Sequence, residues 1–495
     1  MKVSYRKTWK NHAENQAIQP LRIYVPETLS DVIAIITEAE RLVRTVRAVG
    51  SGHSWSDVGL TPGFLVDTSR LCRVLALQES IFRPGAFNGH LVRVEAGIRL
   101  RELNVHLDSQ DLALSNMGGY DAQTVAGVMS TSTHGSGMAF GPLADQVRSF
   151  DLVGSGGIVY RIEPAGGPTD PTAFESFAAG GVIRWRLVQD DAWFQAAVVG
   201  MGSLGIIYSV LLNVEPKYWL KEVRSMHPWA KVKADLLSGR VLAENRHYEL
   251  LFNPYAVDGI NQCLVTTRNT TPRPDRLPKD KRERNVLSET FASLSITRKV
   301  ANFLFDWQPR LTPDFLNEAV LAGLVDNEYS NLSYKVLNIG GANQLPAYSM
   351  EIGVPMERNL HILAIERIMT IAETHRQIGE VYETAPIAVR FVRGSEAFMS
   401  MMYGRDTAML ELIMLSETEG GYELLGVYEE ALYELSGRPH WGQVNYLNGN
   451  REFLRALYPM LEEWLMIRRQ LDPRGTFDSP FTKRLGLSRF GYLPD

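Results

Sequence analysis

The sequence predicts an α+β fold made of two domains and a short closing segment. Its 495 residues are enough for each domain to bury a core of its own. Short apolar runs stopped by Gly-rich turns dominate the first part, and strand-like and helical patterns alternate irregularly after it. The apolar run at 205–216 ends in proline, which closes a buried strand. We therefore predict domains at 1–217 and 218–470, followed by a segment at 471–495.

The first domain contains one clear amphipathic helix and several strands. From Ser30, which we take as the capping residue, apolar side chains recur at helical spacing as far as Val43. Strands are predicted at 45–49, 64–67 and 91–96, and a β-hairpin at 150–160. The stretch 163–181 is rich in Gly, Pro, Ala and Thr, and we interpret it as an irregular insertion that is either a lid or a flexible loop.

The charge balance argues against nucleic acid or an anionic membrane as a partner. The chain has 51 basic and 56 acidic residues, a formal net charge of −5. Its basic residues are dispersed except between Arg273 and Arg284, a run that we interpret as a solvated loop.

Cysteine usage and the termini predict a cytoplasmic protein without a metal site. The only two cysteines, Cys72 and Cys263, lie far apart in sequence, and no His/Cys pattern surrounds either of them. The N-terminal residues lack the apolar core of a signal peptide, and no run of about 18 apolar residues occurs. A nicotinamide enzyme is also disfavoured, because no strand–GxGxxG–helix unit is found.

One histidine lies in a Gly-rich turn directly after a predicted strand. His53 belongs to Arg47-Ala-Val-Gly-Ser-Gly-His-Ser-Trp-Ser56, in which glycines allow backbone N–H groups to approach an anionic ligand. A second stretch rich in Gly, Ser and Thr follows at 118–137 and contains His134. By itself either run is compatible with an ordinary surface turn.

Taken in order along the chain, these runs resemble the vanillyl-alcohol-oxidase type of flavoprotein, closest to its sugar-1,4-lactone and alditol oxidase branch. The resemblance continues through 200–216, Arg390, the segment Pro439-His-Trp-Gly442 and the run 471–477. It implies a two-subdomain PCMH-type FAD-binding domain at 1–217, an α/β substrate-binding cap domain with an antiparallel sheet at 218–470, and a final segment that returns to the FAD domain.

The resemblance implies FAD as the cofactor, bonded covalently through His53, and it implies roles for individual residues. The residues expected to contact FAD are Gly50, Ser51, Gly52, His53, Ser54, Gly118, Gly119, Thr124, Gly127, Thr131, Ser132, Thr133, His134, Ile207 and His440. The expected catalytic residues are Arg390, His440 and Glu351, with Arg390 placed to stabilise charge that develops on the reduced flavin. Glycine at 118 and 119, at the level of a small gate residue in relatives, implies an oxidase.

Three positions depart from the pattern of sugar-oxidising relatives. The resemblance assigns substrate contacts to Ala388, Arg390, Ile413 and Gln443. Relatives carry a glutamate at the position of Ala388 and a lysine at that of Gln443, and Ile413 stands where a threonine would meet a hydroxyl. These changes favour a substrate that is less polar than a free alditol or aldonolactone.

We expect an FAD-dependent oxidase that takes hydride from an alcohol CH–OH group, gives a carbonyl product and passes the electrons to oxygen as hydrogen peroxide. The base that removes the hydroxyl proton stays open among Glu351, Tyr403, Glu411 and His440, and His440 is our preference because a neutral imidazole accepts a proton. Two alternatives also stay open. One is a flavin dehydrogenase with another electron acceptor, and the other is a flavoprotein-fold protein that binds or isomerises a ligand without net redox chemistry.

Overall fold

The computed structural model describes residues 1–86, 90–275, 308–324, 327–339, 347–379, 381–416 and 418–488. Most of the basic run from Arg273 to Arg284 lies outside these residues, as does the end of the predicted segment 471–495. Within the described part, the chain forms three main sheets that are covered by helices.

The first sheet contains four strands and packs against the predicted amphipathic helix. In spatial order the strands are Lys2–Tyr5, Arg22–Val25, Phe64–Asp67 and Val46–Val49. The helix spans Leu29–Arg41 and buries its apolar stripe against this sheet, as predicted. Its N-cap is Thr28, whose side chain forms a capping box with Asp31, so Ser30 lies inside the first turn.

The second sheet contains six strands within the described residues. In spatial order they are Trp185–Gln189, Val159–Glu163, Val147–Val153, Ile206–Asn213, Leu91–Glu95 and Val74–Leu75. The antiparallel pairing of the third strand with the second confirms the predicted hairpin. The strand Ile206–Asn213 pairs antiparallel with two neighbours and is buried, also as predicted.

The stretch 163–181 is more regular than the sequence suggested. It contains a helix at Pro171–Ala179, with Asp170 as an N-cap that accepts a hydrogen bond from the backbone N–H of Ala173. Proline is well tolerated in the first turn of a helix, and Phe174 anchors the helix in the core. The expected irregular insertion was therefore wrong for these residues, because Asp170-Pro171 is a helix start and not a turn.

The third sheet contains eight strands in the described residues and is antiparallel throughout. In spatial order the strands are Glu328–Leu332, Trp219–Pro228, Gln262–Thr271, His247–Phe252, Ile387–Val392, Thr407–Leu415, Ala347–Pro355 and Arg438–Pro439. Two small sheets pair Trp9–Lys10 with Ala17–Ile18 and Leu112–Ala113 with Glu215–Pro216. An antiparallel sheet in the second half of the chain agrees with the predicted fold class.

Helices connect these strands and cover the sheets. In the first part they are Leu100–Ser109, Val125–Ser130, Pro171–Ala179 and Asp191–Val198, in addition to Leu29–Arg41. In the second part they are Trp229–Ser238, Arg240–Glu244, Thr312–Ala322, Ser333–Leu337, Leu360–Ile378, Gly421–Tyr433, Arg451–Leu457, Leu461–Leu471 and Pro480–Arg484. Across the residues that the structure describes, none of the helices has the length and apolarity needed to cross a membrane.

The two faces of the third sheet differ sharply in chemistry. One face presents alternate residues such as Leu250, Val389 and Leu410 to the helices Leu360–Ile378 and Gly421–Tyr433, forming an apolar core. Because successive side chains of a strand point to opposite faces, the intervening residues, among them Arg390 and Glu411, share the other face. That face meets the first part of the chain, and charged groups are therefore concentrated at the junction.

The closing segment packs on the first sheet. Phe477 is fully buried in the core formed by that sheet and the helix Leu29–Arg41. The backbone N–H of Val46 donates to the carbonyl oxygen of Thr476 at 2.7 Å, so the end of the chain adds a contact at the edge of this sheet. The division at residues 217 and 470 stays a prediction.

A buried arginine joins the first sheet to the loop before the strand Ile206–Asn213. Arg47 is 1% exposed. Its guanidinium donates to the carbonyl oxygens of Val58 at 2.6 Å, Met201 at 2.6 Å and Gly202 at 2.9 Å. One side chain thus fixes the positions of two loops that are more than 140 residues apart in sequence.

We predict that Arg47→Met destabilises the protein by about 3 kcal/mol, since buried carbonyl oxygens lose their donors. Chemical denaturation followed by fluorescence gives the change in unfolding free energy. The matched control is Arg44→Met, at an exposed position. A change for Arg47→Met no larger than that of the control would contradict the structural role given to this residue.

Candidate active site

A deep cleft separates the first and second sheets and encloses about 1070 Å³, open solvent at its mouth included. Val49 of the first sheet and Leu152 and Ile207 of the second line it. The glycine-rich loops meet here, and the cleft residues predicted from the sequence are Gly50, Ser51, Gly52, His53, Ser54, Thr124, Gly127, Thr131 and Ile207.

The walls of the cleft approach each other too closely for side chains at some positions. A Cβ atom on Gly50 would lie 2.1 Å from Oγ1 of Thr124. Thr124 is itself fixed, because it caps the helix Val125–Ser130 by accepting a hydrogen bond from the N–H of Gly127. The glycine at position 50 is therefore needed for the approach of the two loops, and its predicted role in binding an anionic ligand stays a prediction.

His53 lies on the wall of the cleft between two aromatic rings. Its ring centroid is 4.3 Å from that of His12 and 4.6 Å from that of Tyr120. Burial, together with the nearby His12, Arg99 and Arg101, lowers the pKa of His53 to about 3. The imidazole is therefore neutral at physiological pH and keeps a nucleophilic lone pair.

The loop that contains Gly118 and Gly119 connects His53 to the third sheet. Tyr120 of this loop packs edge-on against His53, whereas Gly119 faces the second half of the chain. A Cβ atom on Gly119 would lie 2.8 Å from Ile339 and 3.9 Å from the guanidinium of Arg390. The glycine therefore allows this loop to pack directly against Ile339, next to Arg390.

The segment 440–442 is hydrogen bonded to the loop that carries His53. The N–H of Trp55 donates to the carbonyl oxygen of Gly442 at 2.7 Å, and Ser56 Oγ donates to that of Trp441 at 2.6 Å. A Cβ atom on Gly442 would be 3.3 Å from Ser54 Oγ, so these segments are in direct contact. The sequence placed both segments at the flavin by resemblance, and the structure brings them together.

His440 has a defined tautomer. Its Nδ1 accepts a hydrogen bond of 3.1 Å from the N–H of Gly442, so the proton of the neutral ring is on Nε2. Burial lowers the pKa of His440 to about 4, although Glu351 opposes this shift. At neutral pH His440 is therefore a hydrogen bond donor through Nε2, and its acceptor nitrogen is already engaged.

Glu351 and His134 form a buried pair. Nε2 of His134 lies 3.2 Å from Oε1 of Glu351, and their side chains are 2% and 5% exposed. Nδ1 of His134 lies 2.8 Å from the carbonyl oxygen of Gly135 and donates to it. Burial alone would raise the pKa of Glu351, but His134 outweighs it, with help from His440 and Arg390, and lowers that pKa to about 2.

Arg390 lies among three carboxylates on the charged face of the third sheet. Its Nη1 donates to Oε2 of Glu411 at 3.1 Å and lies 3.8 Å from Oε1 of Glu351. Its Nε lies 3.8 Å from Oε1 of Glu249. Glu249 in turn pairs with Arg268 at 2.8 Å, and together these two cations outweigh burial and lower the pKa of Glu249 to about 2.

The polar character of this face differs from the sequence expectation. Ala388 and Ile413 suggested an apolar pocket, but Glu249 and Glu411 approach Arg390 from the neighbouring strands. Glu249 was missed, although alternation within His247–Phe252 puts it on the same face as Leu251. Ile413 itself packs towards a small apolar cluster that includes Ala319 and Leu415.

Four further predicted residues are Gln443, Thr131, Thr133 and Ser132. Oε1 of Gln443 is buried and accepts no hydrogen bond among the described residues. Thr131 and Thr133 are joined through their hydroxyl oxygens at 3.2 Å. Ser132 is fully buried and its hydroxyl contacts Ser400 Oγ at 2.8 Å, so its side chain points away from the cleft.

These observations fit FAD. The cleft offers closely spaced glycine loops for a pyrophosphate, a neutral imidazole at one wall and, beyond the Gly119 loop, a guanidinium on the charged sheet face. Residues Gly50–Ser54 and the loop 200–205 would hold the phosphates, and Thr131 and Ile207 would contact the remainder. A bound flavin supplies a two-electron acceptor for chemistry beside Arg390. Fold and site together define a PCMH-type FAD-binding flavoprotein.

Comparison with known proteins gives the family. The profile of D-arabinono-1,4-lactone oxidase matches residues 210–485, and that of an FAD binding domain matches residues 20–163. The chain therefore belongs to the D-arabinono-1,4-lactone oxidase family. It is an FAD-dependent oxidase that acts on CH–OH groups.

Individual relatives align over almost the entire chain. L-gulono-1,4-lactone dehydrogenase of Mycobacterium tuberculosis is 28% identical over 483 residues, which is 96% of this chain and 98% of the relative. L-gulonolactone oxidase of Mus musculus is 27% identical over 485 residues, with the same coverage. Alditol oxidase of a Streptomyces species is 26% identical over 480 residues, again 96% and 98% of the two chains.

Solved structures share the fold. A solvent-stable cholesterol oxidase superposes with a TM-score of 0.75 at 17% identity, covering 97% of this chain and 98% of that one. Cholesterol oxidase from B. sterolicum superposes with a TM-score of 0.74 at 14% identity, covering 98% and 97%. The predicted fold class is confirmed.

We predict that Glu351→Gln lowers the unfolding free energy at neutral pH by about 3–5 kcal/mol, the scale for breaking one side of a buried ion pair. The folded-state pKa of Glu351 is depressed from 4.5 to about 2. Its contribution is therefore complete above pH 4.5 and is lost as the pH falls towards 2. Thermal unfolding of the wild type and Glu351→Gln between pH 7 and pH 3 should show a difference in unfolding free energy that becomes smaller as the pH falls.

The matched control is Glu430→Gln, at an exposed position of the helix Gly421–Tyr433. It should follow the wild type at each pH. If the difference in unfolding free energy between Glu351→Gln and the wild type were constant over this range, the pKa of Glu351 would not be lowered in the folded state.

Proposed function

We propose that the protein oxidises a hydroxyl-bearing carbon of a sugar lactone or a similar polyhydroxylated compound, with FAD bonded covalently through His53 and oxygen as the electron acceptor. The products are a carbonyl compound and hydrogen peroxide. The observation that carries the proposal is the meeting of the His53 loop and Arg390 across the short Gly119 loop. Flavin and substrate would meet beside this loop, because hydride transfer requires direct contact between them.

The environment of His53 supports the covalent bond. A tether through a ring nitrogen needs an unprotonated imidazole, and burial keeps His53 neutral. The side chain also lines the cleft, where a ring nitrogen can meet the cofactor. The ring is also oriented by His12 and Tyr120 on either side.

Arg390 supports the transfer of hydride. Accepting two electrons leaves negative charge on the acceptor, and a preorganised cation stabilises the transition state that leads to it. Burial disfavours the charge of Arg390, but Glu411, Glu249 and Glu351 outweigh burial and raise its pKa. The guanidinium is therefore charged at every physiological pH.

The groups around Arg390 favour a polar substrate over an apolar alcohol. The guanidinium donates hydrogen bonds to a carbonyl or ring oxygen, and carboxylates accept them from hydroxyl groups. Glu249 and Glu411 have side chains that are 19% and 17% exposed, so both reach accessible space. The sequence led us to expect an apolar pocket at this place, whereas the structure has these polar and charged groups.

We also propose a cytoplasmic location. Both cysteines are free, Cys72 at the surface and Cys263 in the core, as expected for a chain that works in a reducing compartment.

The substrate class is tested by anaerobic mixing of the purified enzyme with one donor of each kind. We expect D-arabinono-1,4-lactone or L-gulono-1,4-lactone to bleach the flavin absorbance faster than an alditol, and far faster than an apolar secondary alcohol of similar size. Preferential bleaching by the apolar alcohol would contradict the polar site. No bleaching by any member of the panel would contradict the proposed redox function.

The tether is tested by acid precipitation of wild type and His53→Ala. Yellow colour should stay with the wild-type pellet and pass to the supernatant for the variant, because only the wild type has a bond to the cofactor. His12→Ala is the matched control, since it removes the neighbouring ring and leaves His53 in place. Colour that remains with the His53→Ala pellet would assign the bond to another residue.

A further inference from the structure

Glu411 occupies a central position on the charged face of the third sheet. It lies directly opposite Ala388 on one neighbouring strand and directly opposite Glu351 on the other. Arg390, two residues after Ala388, is the diagonal neighbour on the same face. Any ligand that contacts Arg390 on this face of the sheet therefore lies next to Glu411 as well.

Alcohol oxidation needs a proton acceptor beside the reacting hydroxyl, and the nearby histidines lack a free lone pair. Nδ1 of His440 accepts from the N–H of Gly442, and the other ring nitrogen carries the proton. His134 donates through Nδ1 to the carbonyl oxygen of Gly135, and its Nε2 faces Glu351. Neither ring offers an acceptor to substrate, which differs from our sequence-based preference for His440.

Glu351 and Tyr403, two other candidates for the catalytic base, are also poorly suited to accept the proton. Glu351 is 5% exposed and is engaged by His134, so a substrate hydroxyl does not reach it. The ring of Tyr403 packs edge-on against Phe398, and burial raises the pKa of its phenol. Tyr403 therefore stays protonated near neutral pH.

Glu411 combines access with a free acceptor. Its side chain is 17% exposed, about as much as that of Arg390 at 16%. Oε2 accepts from Arg390, whereas Oε1 accepts from the Ser349 hydroxyl at 3.3 Å, a long bond that a rotating hydroxyl readily gives up. Burial raises the pKa of Glu411 and Glu351 adds to the shift, while Arg390 and His134 oppose it.

We propose that Glu411 is the catalytic base, with Oε1 accepting the proton of the reacting hydroxyl while Arg390 holds Oε2 and the substrate oxygen. The inference rests on the proposed function. In the step, the O–H bond breaks and its proton moves to Oε1, while the C–H bond breaks and its electron pair leaves as hydride to oxidised FAD. The C–O single bond becomes C=O, so the substrate loses two electrons and FAD gains them.

Glu411→Gln tests the proposal through the rate and pH dependence of anaerobic flavin reduction. The donor is the compound of the panel that bleaches the wild-type flavin fastest. We expect the limiting rate to fall by about 10²-fold or more, the usual contribution of a positioned base. In the wild type the rate should rise with pH as Glu411 ionises next to Arg390, Glu351, His134 and, behind Arg390, Glu249. That rise should be absent in the variant.

The strand pairing also allows a second variant that should restore the activity lost in Glu411→Gln. Because residues 388 and 411 are directly paired, Ala388→Glu combined with Glu411→Gln returns a carboxylate to the same place from the adjacent strand. The double variant should recover most of the rate and the rise with pH. Glu430→Gln is the surface control and should match the wild type. A double variant that stays as slow as Glu411→Gln would contradict a proton-accepting role.

A spectroscopic readout is independent of turnover. Infrared spectra of the holoenzyme at successive pH values should contain a protonated-carboxyl C=O band that is present in wild type and absent in Glu411→Gln. Its midpoint should coincide with that of the reduction rate. Glu383→Gln, which removes a different buried carboxyl group, should leave this band unchanged.

The outcomes separate the two proposals. Failure of every donor to bleach the wild-type flavin would contradict the proposed function itself. Normal bleaching and an unchanged pH profile in Glu411→Gln, or a carboxyl midpoint that differs from the kinetic one, would contradict only the role of Glu411.

Discussion

The need to neutralise a buried guanidinium organises the second half of this molecule. Arg390 lies on the inner face of an antiparallel sheet, where an unpaired charge would cost several kcal/mol. Glu249, Glu351 and Glu411 approach it from three other strands, so the sheet register and the charge pattern depend on each other. A shift by one residue in any of these strands would turn its carboxylate into the apolar helical core. The same charges that fix the register also create the site.

The first half of the chain depends on a different constraint, the close approach of backbone loops. Gly50 against Thr124 and Gly119 against Ile339 leave no space for a Cβ atom. Arg47 fixes the end of the loop after Gly50 and the separate loop at 201–202 through backbone carbonyl oxygens. The two halves then meet where Glu351 pairs with His134 and where Gly442 accepts from Trp55. The loops line the cleft that we propose for the cofactor, and the sheet face carries the charges.

Much of this arrangement was accessible from the sequence. Short-range patterns predicted the helix Leu29–Arg41, the hairpin around 154 and the glycine loops, because each of these depends on spacing or turn chemistry within a few residues. The helix Pro171–Ala179 was missed because its composition resembles that of a loop, although Asp170-Pro171 is a helix start. The cluster of carboxylates around Arg390 could not be predicted from the sequence, because residues 249, 351, 390 and 411 come together only through strand pairing. The tautomer of His440, which changes its role from acceptor to donor, likewise depends on one backbone N–H.

We propose that this site transfers electrons from a CH–OH group through FAD to oxygen, and reoxidation of the reduced enzyme by oxygen tests the last of these steps. The holoenzyme is first bleached anaerobically by its best donor and is then mixed with aerated buffer in a stopped-flow instrument. We expect rapid recovery of the oxidised flavin spectrum, with hydrogen peroxide equimolar to flavin. Slow recovery in oxygen combined with rapid recovery in the presence of a dye acceptor would contradict it and would identify a dehydrogenase.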